Sequence, residues 1–296
     1  MDKTVDKGRV ITLDEEGTYG SVSAKDLMLN VIEYIESRFK GPDNEDVLET
    51  GFPYLNFQNE DIVVLASKPS IGKTSFLLSL ASNLILEKNI PVALISPTMS
   101  EGEIGMRLLS INSGVALGKI RSGMLVEKEL IKIQDTAGKL FESPFYSYHE
   151  PNCDLKTIKT NAIKLAMEKH IQLLIVDDFE YLQDLVDAKD REYRRKLANL
   201  LCEVWDITLD LHIPVIISMN TPNSKSNLEP NLLDFKKYMV IPEEADKVIF
   251  LHRERNKTGF VKQDAKLIVA KNTCGPTGDM NVRFNASTGK FTCTDL

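Results

Sequence analysis

The sequence is poor in the residues that staple or metallate small folds. Its four cysteines, Cys153, Cys202, Cys274 and Cys293, stand far apart with no CxxC pair, which argues against a disulfide framework and a cysteine zinc site. The four histidines, His149, His170, His212 and His252, are isolated and lack metal-ligand spacing. No run approaches the eighteen apolar residues of a membrane helix, and Met1 to Gly20 carries no apolar core of a secretory signal. The expectation is a cytoplasmic protein with reduced thiols and no membrane partner. Positive charge is also in deficit, with a formal net charge of -7, so long-range attraction to nucleic acid is missing and any DNA contact must come from a local patch. The single tryptophan, Trp205, lies at helical spacing from Leu201 and Leu209 and is expected in the core.

What remains is an ordinary globular composition, 43% hydrophobic and 27% charged over 296 residues, enough for one α/β domain with short extensions. Residues 1–22 show no periodicity and are expected to be a flexible tail. Ser23-Ala24-Lys25-Asp26 has the form of a capped helix start, and Leu27, Val31, Tyr34 and Ile35 follow at helical spacing. Gly41-Pro42 ends this amphipathic linker helix, which with its linker occupies 23–49. From Asp61 onward, buried-strand runs alternate with helical stretches. Ile62–Ala66, Pro91–Ile95, Phe145–Tyr148, Gln172–Asp177 and Val215–Ser218 read as strands. Lys247–Leu251, Lys266–Lys271 and Met280–Phe284 are read as later strands, some on an antiparallel edge. The pattern predicts a mainly parallel twisted sheet with helices on both faces over 50–296, binding ligands at the strand C-termini.

The run Ser67-Lys68-Pro69-Ser70-Ile71-Gly72-Lys73-Thr74 joins a buried strand to a helix and is read as a P-loop. Backbone N–H groups from Ser67 through Ser75 would cradle phosphate: Pro69 stiffens the loop, Ser70 and Ile71 lead into it, and Gly72 permits close approach. Lys73 reaches the β/γ oxygens, and the Thr74 hydroxyl coordinates Mg²⁺. The first glycine of the usual motif is replaced by Ser67. About a hundred residues on, Leu173-Leu174-Ile175-Val176-Asp177-Asp178 ends a buried strand in carboxylates. Asp177 is expected to serve the Mg²⁺ of bound ATP, with Asp178 second.

These motifs together resemble the RecA-like ATPase domain of DnaB-type replicative DNA helicases. Thr50-Gly51-Phe52-Pro53 looks like the family's opening segment, and Asp61–Thr74 like its strand and Walker A loop. Ile111–Gly123 and Ile241–Arg253 are similar to further family stretches, and Ala270-Lys271 with Gly275-Pro276-Thr277-Gly278 resembles its C-terminal signature. The likeness covers roughly 23–296. It implies a P-loop RecA-like fold, a homo-oligomeric ring closed by the linker helix and ATP-driven movement on single-stranded DNA; the family's N-terminal domain has no counterpart here. KaiC and RadA proteins share the core architecture, but the 270–278 signature favours the DnaB branch.

Three departures bear on activity. The family's water-activating glutamate position is Thr98, its arginine finger position is Thr273 beside a retained Lys271, and its γ-phosphate-sensing glutamine is Asn220. A general base contributes ~10²–10⁴ in rate and an arginine finger ~10³–10⁵, so binding is expected to survive while hydrolysis is impaired. Glu180, Glu101 or Asp178 remain as carboxylates that could substitute. The alternative function is a non-hydrolysing ATP-binding partner or regulator of a helicase ring. For DNA, Arg191, Arg194, Arg195 and Lys196 either grip phosphates or form a solvated helix start among Asp187, Asp190 and Glu192. The later loop, Thr221–Pro230, offers only Lys225, so DNA binding is expected to be weak.

Overall fold

In the computed structural model the described residues are 4–6, 9–11, 23–40, 47–186, 188–221, 228–256 and 261–294. The chain divides into two compact units, Met1–Val47 and Leu48–Leu296. In the first, β1 (Thr4–Asp6) and β2 (Arg9–Ile11) pair antiparallel. This ribbon falls in the stretch expected as a tail, where two three-residue strands are too short to leave a periodic signal. The helix α1 (Ala24–Lys40) starts where its cap predicts. Ser23 Oγ accepts from Asp26 N at 3.2 Å and donates to the Asp26 carboxylate at 2.6 Å. Leu27, Met28, Leu29, Ile32 and Ile35 on this helix are exposed.

The second unit begins with a small pair, β3 (Val47–Glu49) and β4 (Asn56–Gln58). Then come β5 (Ile62–Ser67), α2 (Lys73–Glu87), β6 (Val92–Ser96), α3 (Glu101–Ser113), α4 (Leu117–Ser122), α5 (Glu127–Glu142), β7 (Phe145–His149), α6 (Leu155–Lys169) and β8 (Leu173–Val176). A 3₁₀ turn, Phe179–Tyr181, leads to α7 (Gln183–Val186), α8 (Asp190–Leu211) and β9 (Val215–Asn220). A second 3₁₀ segment, Leu232–Tyr238, precedes α9 (Val240–Glu244), β10 (Lys247–His252), β11 (Asp264–Asn272), β12 (Gly278–Phe284) and β13 (Phe291–Cys293).

Among the described residues, nine strands form one sheet in the order β13-β12-β11-β10-β5-β9-β8-β6-β7. The six from β10 to β7 are parallel, and β11, β12 and β13 extend them antiparallel, as the alternation of strand and helix patterns predicts. The central strand β5 is buried along its whole length because both faces are covered. Val63 and Leu65 point into a cluster with Leu77, Leu80 and Leu84 of α2 and Ile104, Leu108 and Ile111 of α3. Ile62, Val64 and Ala66 point the opposite way, into Ile158 and Ala162 of α6 and Leu197, Leu201 and Val204 of α8. The alternating direction of successive strand side chains thus assigns one β5 residue set to each helical layer.

Trp205 departs from expectation: it is 42% exposed. The buried stripe of α8 runs through Leu197, Leu201, Val204 and Ile207. Position 205 has turned off that stripe although it stands four residues after Leu201.

At the N-terminal end of the parallel strands, the wholly buried Asp61 receives Lys247 Nζ and the Gln58 N–H. Removing the ammonium would strand a buried carboxylate. Lys247→Ala is expected to lose about 3–5 kcal/mol of stability by urea unfolding. A loss under ~1 kcal/mol would show that the pair is structurally idle.

Candidate functional site

The connection from β5 to α2 builds the first wall of the site. Gly72 has φ +115°, a conformation that side chains rarely adopt, and a Cβ there would meet the Phe291 ring at 3.3 Å. Ser70, also left-handed at φ 64°, helps to turn the loop. The N-terminus of α2 has no acid in its first turn, so its free N–H groups and dipole remain available to an anion. Ser67 is buried, its hydroxyl donating to the Lys68 carbonyl at 2.8 Å. Ile71 packs into the core.

Three neighbouring strands deliver the polar groups. Thr74 Oγ1 donates to Asp177 Oδ2 at 2.6 Å, and Ser218 Oγ donates to Asp177 Oδ1 at 2.5 Å. The Asp177 N–H is held by the Ile95 carbonyl at 2.9 Å. Burial, then the charge of Asp178, push the Asp177 carboxyl above its usual range. A carboxylate withdrawn from water whose oxygens meet neutral hydroxyls suits a hard cation. Thr74 and Asp177 are therefore the residues placed to hold a divalent cation. Among the described residues no cluster of three or more His, Cys, Asp or Glu is gathered to cage a metal.

Lys73 Nζ donates to Asn220 Oδ1 at 2.7 Å and lies 3.8 Å from Asp178 Oδ1. Asn220 is fixed in turn by Glu180, whose Oε1 accepts the Asn220 N–H at 2.9 Å. The other oxygen, Oε2, is buried without a hydrogen-bond partner among the described residues. Burial is the main reason that the Glu180 carboxyl is pushed up to about 7.

These groups open onto a cavity of about 600 Å³ whose lining includes Pro69, Ser70, Gly72, Lys73, Thr74 and Ser75 from the loop, with Thr98, Asp178 and Asn220 opposite. Arg253 and Phe284 close one side. The Arg253 guanidinium lies 4.0 Å over the Phe284 ring centroid and donates to the Ile71 carbonyl at 2.8 Å. Burial lowers its pKa to about 10, leaving it cationic at neutral pH. Nothing in their local sequence marks Arg253 and Phe284 as pocket residues; β10 and β12 bring them here from a distant part of the chain.

The expected phosphate and metal residues thus meet at one place, with the side chains of Ser67 and Ile71 turned elsewhere. Lys271 and Thr273 lie apart from it. Lys271 pairs with Val248, and β10 runs parallel to β5 with Val248 beside Val64, so Lys271 sits at the sheet's far end from the loop. Its Nζ donates to the Pro242 carbonyl at 2.8 Å, and Thr273 Oγ1 donates to the Asp246 carbonyl at 3.0 Å. Arg191, Arg194 and Arg195 line a separate cleft of about 990 Å³ that they share with Glu192, Glu243 and Glu244. Lys196 pairs with Glu192 at 3.4 Å. Lys225 lies outside the described residues, as does Asp187.

Residues 48–293 match the family model described as DnaB-like helicase C terminal domain. The chain is 30% identical over 275 residues to the replicative DNA helicase DnaB of Treponema pallidum (strain Nichols), an alignment covering 91% of this chain and 61% of the relative. It is 26% identical over 277 residues to the replicative DNA helicase DnaC of Bacillus subtilis (strain 168), covering 90% and 61%. The chain therefore spans about six tenths of these relatives' length. Among solved structures, one described as an ATPase domain superposes with a TM-score of 0.80 at 20% identity, covering 93% of this chain and 100% of that one. A DnaB-like replicative helicase, whose structure was described with its interactions with primase, gives 0.76 at 20% identity, covering 94% and 69%. Both likenesses speak to the fold.

The Glu180 carboxyl rises from 4.5 to about 7 on folding. The folded state thus favours the protonated acid, and the stability gained is complete below pH ~4.5 and lost as pH rises through about 7. Glu180→Gln keeps an acceptor for Asn220 and carries no charge. It is expected to be more stable than the parent at pH 8, by up to roughly 3 kcal/mol, with the gap narrowing at about pH 5.5. Urea denaturation at both values measures this, and a gap that does not change with pH would refute it.

Proposed function

The chain belongs to the DnaB-like helicase C-terminal domain family, and from that premise we propose that it is a Mg-ATP-binding helicase domain acting in DNA replication, with slow hydrolysis. The observation that carries this reading is the Thr74–Asp177 hydrogen bond at 2.6 Å beside a Lys73 poised at 2.7 Å from Asn220. A P-loop hydroxyl and the carboxylate ending a buried strand share one metal-sized locus, next to a cation placed for phosphate. The Arg253–Phe284 pair offers a flat apolar and cationic wall that suits a nucleotide base. Bound Mg²⁺ would neutralise phosphate charge; the chain's own groups orient the triphosphate and exclude bulk water.

Slow turnover follows from the chemistry at two positions. Thr98 has no anionic form near neutral pH, and its hydroxyl donates to Asp178 at 2.6 Å. Thr273, at the far end of the sheet from the cavity, has its hydroxyl on the Asp246 carbonyl. Any contribution of Lys271 or Thr273 to a phosphate must therefore be made to the site of another copy. That geometry favours a ring in which the exposed apolar stripe of α1 docks on a neighbour. The same two threonines support a second reading, an ATP-holding partner of a replicative helicase ring that does not turn over. Single-stranded DNA contact through Arg191, Arg194 and Arg195 is proposed as weak, because Glu192, Glu243 and Glu244 share their cleft.

Two measurements check this. Lys73→Ala is expected to weaken fluorescent ATP binding in Mg²⁺ by roughly 10–100-fold, the worth of a hydrogen bond to a charged group. Undiminished affinity in that variant sinks the nucleotide reading. In light scattering with Mg-ATP, Ile32→Asp with Ile35→Asp is expected to lower the assembly state; a parent that is monomeric at every nucleotide concentration counts against the ring.

A further inference from the structure

Among the described residues lining the proposed nucleotide cavity, the one carboxylate is Asp178. The other acids near the site are engaged elsewhere. Glu101 accepts the His149 N–H at 3.2 Å, Glu103 is paired with Arg107 and Arg121, and Glu180 holds the Asn220 N–H. Asp177 is wholly buried under Thr74 and Ser218. Asp178 differs from all of these in facing the cavity, with 21% of its side chain exposed.

Its orientation is determined by two features. The backbone at Asp178 is left-handed, φ 56° and ψ 46°, an arrangement uncommon outside glycine, asparagine and aspartate. It is held there by its N–H donating to Ser218 Oγ at 2.9 Å. Strain of this kind gathers where a side chain must be aimed. The carboxylate is then steered from outside, because Thr98 Oγ1 donates to Oδ2 at 2.6 Å while Oδ1 faces Lys73. Thr98 is itself exposed, so the pair opens to water as well as to the cavity.

We propose that Asp178, oriented by the Thr98 hydroxyl, is the catalytic carboxylate that handles the attacking water in this chain. The inference rests on the Mg-ATP reading above and supplies the route for its slow turnover. The water oxygen bonds to the γ-phosphorus as the bond from that phosphorus to the β–γ bridging oxygen breaks. ADP leaves with that electron pair, and the water's proton passes to an Asp178 oxygen and on to solvent. Thr98 therefore acts as a positioning residue, donating one hydrogen bond that fixes Oδ2 and leaves Oδ1 turned toward Lys73 and the cavity.

Steady-state phosphate release and equilibrium binding of fluorescent ATP and ADP, both in Mg²⁺, test the assignment together. Asp178→Asn is expected to reduce turnover by at least ~10² without weakening ATP binding. Removing a negative charge that faces the γ-phosphate should raise the preference for ATP over ADP by up to about fivefold, which loss of a merely structural residue would not do. Asp178→Glu should recover part of the turnover, and Thr98→Ala should lose roughly tenfold, about one hydrogen bond. Circular dichroism and thermal unfolding establish whether each variant folds; if Asp178→Asn does not, Asp178→Glu and Thr98→Ala carry the test. Turnover in Asp178→Asn or Thr98→Ala equal to the parent's overturns the proposal. So does parent turnover no higher than that of Lys73→Ala, even though retained ATP affinity would leave the nucleotide reading intact. Absence of ATP affinity in the parent would defeat both.

Discussion

A threonine hydroxyl at the start of α2 reaches an aspartate at the end of β8, and the rest of the site depends on that contact. The two strands are not neighbours: β9 lies between β5 and β8, and its Ser218 fills the gap by binding the same aspartate. Bringing Thr74 to Asp177 thus requires three parallel strands in register, Leu65 beside Ser218 and Ile217 beside Val176. Helical layers on both faces maintain that register through apolar side chains that have no chemistry of their own. The hydroxyls bring no charge of their own; burial raises the pKa of the aspartate, and the Lys73 charge opposes that rise.

A second layer of control lies behind the loop lysine. Lys73, Asn220 and Glu180 form a chain in which each group sets the position of the next. Only the first two line the cavity. Glu180 affects the phosphate region through the backbone of Asn220, with one oxygen buried and unmatched among the described residues. Charge on that carboxyl is therefore costly in the fold, and its protonation couples the positions of Asn220 and Lys73 to the pH range in which it titrates.

Much of this was legible in the sequence. The parallel core stands out because strands covered on both faces appear as unbroken apolar runs, as in Ile62–Ala66 and Leu173–Val176. The loop and its partner carboxylate are recognisable because a Gly-Lys-Thr run a few residues after a buried strand, and an acid ending another, both stand out. Short elements such as α4, α7, α9 and β13 were not, since a turn or two of helix carries too few residues for a period. Arg253 and Phe284 escaped because long-range pairing, not local pattern, places them. The distinct environments of Asp177, Asp178 and Glu180 were equally hidden: three acids within four residues look alike on paper. One is buried under hydroxyls, one turned out by a left-handed backbone, and one folded back beneath β9.

The Phe291 ring against Gly72 carries an implication for biosynthesis. A strand made late in translation packs on a loop made early, and the Phe291 N–H also bonds Ser79 in the helix behind that loop. A nascent chain emerging from the ribosome carries its parallel strands before the β5–α2 loop receives this backing. The loop's packing is completed only as β13 arrives, a strand 212 residues from the helix position that it bonds.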